Sequence, residues 1–282
     1  MADVRITEFT DPACPWAFSA EPFRRRLDWL YGDRLEWQPR MVVLSEDPSE
    51  LIDKGFDPPA LSREFRKLAH DHGMPIDTAE PSRMSASAPA CRAVVAARMH
   101  VPEHAGGLLR CLRVHYFSGG LLDDPAMIGA AAGDAGLDPD ALREWMAEDA
   151  VETELRADMA AARKPSPAAH VLDARLANWS GGRRYTCPSY EITRLSDGVT
   201  ISVPGYQPFA VYDVVLANLV PGLERREAAD SVETVLAWAG TPLATAEVAE
   251  VCEISRGDAR EQLGRVAHER HVGADGFWTL AA

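Results

Sequence analysis

The cysteine at position 14 has the residue type and setting best suited to chemistry. It lies in Asp11-Pro12-Ala13-Cys14-Pro15-Trp16-Ala17-Phe18, where an alternating run over residues 4–9 gives way to a helical pattern over 16–31. Alternation of polar and apolar residues reads as a strand. Pro15 suits the first position of a helix, because the N–H it lacks has no partner there. A helix start presents free N–H groups and partial positive charge. Both favour a thiolate, and cysteines so placed reach pKa values of roughly 3.5–7.5 rather than ~8.5. Position alone leaves two readings, a nucleophile or a buried, inert thiol.

A second cysteine precedes a proline in Tyr185-Thr186-Cys187-Pro188-Ser189-Tyr190. Pro188 interrupts residues 184–195, which otherwise read as a central strand, and a proline there removes a ladder hydrogen bond. A cis bond before Pro188 accounts for its presence. The remaining cysteines, Cys91, Cys111 and Cys252, are widely spaced. Five thiols with no zinc spacing argue against a disulfide framework and against a metal site. Cys91 and Cys111 sit in helical patterns as small hydrophobes, with Ser85-Ala86-Ser87 opening toward the site just before Cys91.

The elements that must hold these thiols follow in order. A strand (4–9), a helix (16–31, stopped by Gly32) and a strand (34–44) come first, with Pro39 marking an edge or bulge. A helical block follows at 59–72, 86–100, 103–117, 124–135, 139–147 and 149–163, then a helix at 168–179. Strand character returns at 184–195 and 199–203 around the hairpin turn Ser196-Asp197-Gly198. A helix at 208–219 ends the unit. The tail holds helices from Ala228, Thr245 and Ser255, then a strand-turn-strand around Gly273. This is the pattern of a winged helix, set apart from the rest.

The chain has 282 residues and a net charge of −14. Such an acidic surface repels phosphate backbones. From residue 224 onward six Arg face eleven Asp plus Glu, net −5, so the tail reads as a docking module rather than a nucleic-acid binder. No apolar run reaches the ~18 residues of a membrane helix, and no basic-then-apolar leader opens the chain. The expected location is therefore the cytoplasm, with no nucleic-acid or membrane partner.

These elements and motifs together resemble the DsbA family of thiol–disulfide oxidoreductases. Within it they resemble the cytoplasmic FrnE-like and 2-hydroxychromene-2-carboxylate-isomerase-like branch. The resemblance rests on Phe9-Thr10-Asp11-Pro12-Ala13-Cys14-Pro15-Trp16, the helical insertion, Thr186-Cys187-Pro188 and Gly205-Tyr206-Gln207-Pro208-Phe209. It covers roughly residues 1–222 and implies an α/β thioredoxin fold. The expected organisation is a first half (1–56), a helical insertion (57–164), a second half (165–222) and a winged-helix-like module (223–282).

By this resemblance Cys14 is the nucleophile and Pro188 faces it. Trp16, Thr186 and Tyr206 are the candidate substrate-binding residues, with a core place on the first helix the alternative for Trp16 and phenol donation the role open to Tyr206. The family pattern is Cys-x-x-Cys, and here Ala17 occupies the fourth position. Without that second thiol, Cys14 cannot release itself from a mixed disulfide through the usual partner. Cys187 is open to three readings: a small residue filling a strand, a thiol that resolves Cys14, or half of a soft-metal site. The activity expected is disulfide exchange through a single Cys14 with a low-molecular-weight thiol, glutathione or mycothiol, and no other cofactor. The alternatives are a thiol-dependent isomerase or transferase acting on a small molecule, and a non-enzymatic binding protein. Self-association is left open.

Other side chains have weaker signals. Arg24-Arg25-Arg26 reads as a solvated helix face. His70 and His72 end a helix beside Gly73 without metal partners. Tyr116 is a candidate phenol donor.

Overall fold

The computed structural model describes residues 2–281. Strand β1 (Val4–Thr10) leads into α1 (Pro15–Ser19) and α2 (Glu21–Tyr31), and β2 (Leu35–Met41) returns beside β1 in parallel. The single helix expected over 16–31 is two helices. Pro22 in the first turn of α2 has no N–H to continue α1, and Ala20 is the shared cap. The insertion comprises α3 (Ser49–Asp53), α4 (Pro58–His72), α5 (Ala88–His100), α6 (Pro102–Phe117), α7 (Pro125–Asp134), α8 (Pro139–Met146) and α9 (Asp149–Ala162). All its long helices begin within a few residues of the sequence expectation, and Asp57, Asp124 and Asp138 cap α4, α7 and α8 through their carboxylates, as short acceptors do at helix starts. Helix α5 forms the middle of this block, with seven of its residues buried.

The region after the insertion differs from expectation. In place of a helix over 168–179 come one turn, α10 (Pro167–His170), a 3-10 turn at Asp173–Arg175 and β3 (Ala177–Trp179), which pairs with β4 (Gly182–Arg184). Ser180-Gly181 supply the tight turn between them, and that hairpin overrides the weak local helical pattern. The strand expected over 184–195 is likewise split by the Pro188 turn into β4 and β5 (Ser189–Arg194). Strand β6 (Thr200–Val203) and α11 (Phe209–Leu219) complete the unit.

The central sheet has the order β2-β1-β5-β6, with β5 antiparallel to both neighbours. Pro39 does lie on an edge strand. That edge is sealed by the insertion: Arg98 of α5 donates to the Pro39 carbonyl, and Asp158 of α9 accepts the Met41 N–H at 3.0 Å while pairing with Arg40 and Arg98.

The tail comprises α12 (Val232–Ala239), β7 (Leu243–Ala244), α13 (Thr245–Cys252), α14 (Arg256–Val266), β8 (Ala267–Val272) and β9 (Asp275–Leu280), with strand order β7-β9-β8. This is the arrangement of a winged helix. It is not a separate body. Val272 and Phe277 share one apolar cluster with Phe18, Phe65 and Phe117 of the core. Trp238 packs edge-on against Trp29 of α2. The tip of the wing, Gly273, lies so close to the Ile76 carbonyl that a Cβ there would collide with it. Losing a buried ring such as Phe277 costs ~3–5 kcal/mol.

An ion-pair seam joins the same parts. Arg113 of α6 is buried between Glu8 (2.9 Å) and Glu21, and Arg110 pairs with Glu247 of α13 at 2.6 Å. Arg24, Arg25 and Arg26, expected on a solvated face, join this seam through Glu8, Glu247 and Glu250. Their partners are distant in sequence, so local pattern could not reveal them. No helix among the described residues is long and apolar enough to cross a membrane.

Candidate active site

Register sets the geometry. Phe9 pairs with Ser189, so the loop leaving β1 and the turn entering β5 meet at one end of the sheet. The peptide bond between Cys187 and Pro188 is cis. Cys14 is the N-cap of α1 in an extended conformation, followed by Pro15, and only 5% of it is exposed. Its Sγ donates to the Cys187 carbonyl at 3.2 Å. The structure therefore brings Cys14, Cys187 and Pro188 together across 173 residues of chain.

The two thiols are driven in opposite directions. Burial pushes Cys14 up, and the Asp11 charge adds to that. The Cys187 thiol and the N–H groups of Ala17 and Trp16 more than offset both, so Cys14 lies below its ordinary value. Burial holds Cys187 well above its own, and its hydrogen bond to Cys14 and the charge there raise it further. Of the two thiols, Cys14 is therefore the more easily deprotonated. Burial also raises Cys91, Cys111 and Cys252, the latter two to about 11. Cys14 alone of the five is lowered.

Beneath the pair lies Asp11, fully buried. Its carboxylate accepts the N–H of Ala13 and of Leu44, each at 2.7 Å, and the Ser87 hydroxyl at 2.8 Å, with the Cys91 thiol at 3.5 Å. Val43 reaches the left-handed region, with φ at 57°, an outlier for a β-branched residue. That turn aims the Leu44 N–H at Asp11. The carboxylate thus ties the Cys14 loop, the end of β2 and the start of α5 to one point. Burial raises its pKa against those hydrogen bonds. The sequence pattern marked Asp11 only as a neighbour of Cys14. Its acceptor role was hidden, because Leu44 and Ser87 lie far along the chain.

An aromatic rim borders the thiol. Trp16, 38% exposed, meets His72 at a 5.3 Å ring separation and Tyr206 at 5.5 Å. The Tyr206 hydroxyl is 3.2 Å from His72 Nδ1. Burial lowers His72, and burial with the Glu250 charge raises Tyr206 to about 12, so both are neutral near pH 7. His72 was not singled out for this place, since its partners come from α1 and the loop before α11. Thr186 lies one residue from Cys187, with its hydroxyl turned to the Arg175 carbonyl. Tyr116 stands behind the site, where burial and the charges of Asp11 and Cys14 raise its phenol. It also walls a cleft of about 210 Å3 lined by Phe65, Asp77, Glu80 and Arg83. Among the described residues no group of three or more His, Cys, Asp or Glu is placed to hold a metal. The two thiols alone fall short of such a set.

Comparison with known proteins agrees with this architecture. The cytosolic disulfide reductase DsbM from Pseudomonas aeruginosa superposes with a TM-score of 0.52 at 15% identity, covering 77% of this chain and 100% of its own, and that enzyme has also been solved with GSH. A probable DsbA oxidoreductase from Streptomyces coelicolor gives a TM-score of 0.55 at 19% identity, covering 80% and 94%. The ClpXP adapter protein SpxH of Halalkalibacterium halodurans is 25% identical over 276 residues, 93% of this chain and 82% of its own. The DSBA-like thioredoxin domain matches residues 5–166, more than half of the chain. With the strand order, the inserted helices and the thiol facing a cis-proline, this match makes the chain a member of the DSBA-like thioredoxin domain family.

Proposed function

We propose that the protein is a thiol–disulfide oxidoreductase of the cytoplasm, with Cys14 as its single nucleophile and a low-molecular-weight thiol, glutathione or mycothiol, as its exchange partner. The observation that carries this reading is the place of Cys14, at the cap of α1 with its Sγ 3.2 Å from the Cys187 carbonyl just before cis-Pro188, where its pKa is lowered. The Cys14 thiolate attacks one sulfur of a disulfide. The S–S bond breaks, the departing thiolate takes a proton from water, and a mixed disulfide remains on Cys14. Ala17 cannot resolve it. Release then falls to a second small thiol, which regenerates Cys14, or to Cys187, which must first lose its proton and leaves a Cys14–Cys187 disulfide. In the second route two external thiols must reduce that bond before the next cycle, the first forming a mixed disulfide and the second leaving with it as a small disulfide. On this reading Trp16, Tyr206 and Thr186 are the residues that meet the substrate. The structure of DsbM with GSH makes glutathione the first thiol to try.

The test is alkylation by iodoacetamide across pH, read by peptide mapping. Cys14 is expected to react first, with a midpoint below the ordinary ~8.5, and mild oxidation is expected to join Cys14 to Cys187. A Cys14 midpoint at the ordinary value, together with no internal bond and no mixed disulfide, would overturn the reading.

A second reading has one observation in its favour. The SpxH match spans 93% of the chain, tail included, whereas the solved oxidoreductases above cover 77–80%. On that reading the protein binds a client for a ClpXP-type protease, without catalysis. Cys14→Ser would then leave client binding intact, whereas it would abolish disulfide exchange.

A further inference from the structure

The end of α4 and the start of α14 meet beside the aromatic rim. Gly73 closes α4 in the left-handed region, with φ at 77°. A Cβ on Gly73 would run into the Arg256 guanidinium and Cδ, so the absent side chain is what lets the arginine lie over this helix end. Arg256 is the first residue of α14 and is exposed. Among the described residues it makes no ion pair and no side-chain hydrogen bond. Asp71, whose charge also reaches His72, is held by Lys67 at 2.6 Å and His70 at 3.1 Å. The Arg256 charge acts on the His72 imidazole, whose ring packs on Trp16, two residues past Cys14. A cation left unpaired at this mouth stands out in a chain of net charge −14.

We propose that Arg256 is a specificity-determining residue, contributed by the C-terminal module, that recognises a carboxylate on the small disulfide or thiol exchanging with Cys14. The inference rests on the reading of Cys14 as the nucleophile and adds the charge class of its substrate. A guanidinium stays charged at any working pH and grips a carboxylate through two parallel hydrogen bonds. A substrate with its sulfur at Cys14 and an acidic group several bonds away would lie along Trp16 and His72 and end at Arg256. The bond changes are unaltered: Cys14 forms the new S–S bond, the old one breaks, and the leaving thiolate is protonated by water. Arg256 takes no part in them. It concentrates anions at the mouth against the acidic surface around it. This also gives the winged module a task near the thiol, with its wing tip already occupied by Ile76.

The test compares three disulfides of different charge on the full chain: glutathione disulfide (anionic), dithiodipyridine (neutral) and cystamine (cationic). The readout is the rate at which Cys14 is consumed, followed by intact mass and peptide mapping. Arg256→Ala and Arg256→Gln are expected to slow glutathione disulfide on the order of three- to tenfold at low salt. Dithiodipyridine should be unchanged, and cystamine should be faster. High salt should shrink the difference between parent and variant. Equal rates for parent and variants with glutathione disulfide, or the same slowing of all three probes, would overturn the proposal and leave the Cys14 reading standing. A parent chain whose Cys14 reacts with none of the three would overturn both.

Discussion

Two buried acids flank the thiol along the chain, Asp11 before it and Glu21 after it, and they behave oppositely. Glu21 is 2% exposed and Asp11 is fully buried. Burial raises both. Around Glu21 stand Arg113, Arg110, Arg25 and Arg24, and these bring its pKa down to about 2. Around Asp11 stand two backbone N–H groups, a hydroxyl and a thiol, but no guanidinium, and its pKa ends above the ordinary value. Depth is the same, and counter-charge decides the outcome. The seam spends its arginines on fixing the winged module to the core. No guanidinium stands beside Asp11, so its charge raises Cys14 instead of steadying a thiolate, and hydrogen bonds are what bring Cys14 below its ordinary value.

Removing the counter-charge should break this contrast most strongly. Arg113→Met leaves Glu8 and Glu21 buried without their cation, and the expected loss is ~3–5 kcal/mol by denaturant unfolding. A loss under 1 kcal/mol would mean that the seam contributes little. The seam also gives a pH signature. Because the folded-state pKa of Glu21 is depressed, its stabilisation is present above the unfolded value of ~4.3 and disappears as pH falls toward about 2. This acid limb should be much reduced in the Arg113→Met chain.

At the other end, Asp11→Asn should cost ~1–3 kcal/mol, since an amide cannot accept both the Ala13 and the Leu44 N–H through oxygens. The same change removes the charge that raises Cys14, so the alkylation midpoint of Cys14 should move down. Asp11 has a raised folded-state pKa, so its stabilising term is present at low pH and lost as pH rises through that value; the Asn chain should lack this loss. A midpoint that moves up instead would show that Asp11 works through loop geometry rather than charge.

Cys187→Ala is a smaller perturbation. It deletes the thiol that donates to the Cys14 thiolate, so the Cys14 midpoint should rise and alkylation at neutral pH should slow several-fold, with folding stability little changed. An unmoved midpoint would leave the helix-start N–H groups as the whole cause. The smallest expected effect is in nucleic-acid binding. The acidic tail and the occupied wing tip predict no detectable binding of duplex DNA at physiological salt, and micromolar, salt-sensitive binding would contradict this.

Much of the site was legible in the residues. Cys14 with Pro15 marked a thiol at a helix start, and a proline inside a strand marked the turn that faces it. Both signals are local, because proline chemistry acts on neighbouring residues. The helices of the insertion were legible for the same reason, through their caps and breaks. The hairpin over Ala177–Trp179 and Gly182–Arg184 was not, since its three-residue strands are too short for a period to show. Nor were the places of Arg24, Asp11 and His72 legible. Each depends on a partner brought near by tertiary contact, and a string of charges reads as solvent-facing until those partners are known.

The sealed flank of β2 has a consequence for how copies of this sheet can associate. A strand edge is a template that another chain can extend. On the β2 side the proline, its arginine-bound carbonyl and the aspartate that accepts the Met41 N–H remove that template. The β6 side pairs only with β5 within the sheet. Two copies joined edge to edge through β6 would present only closed β2 sides outward. Such pairing ends at two molecules and cannot propagate into a fibre.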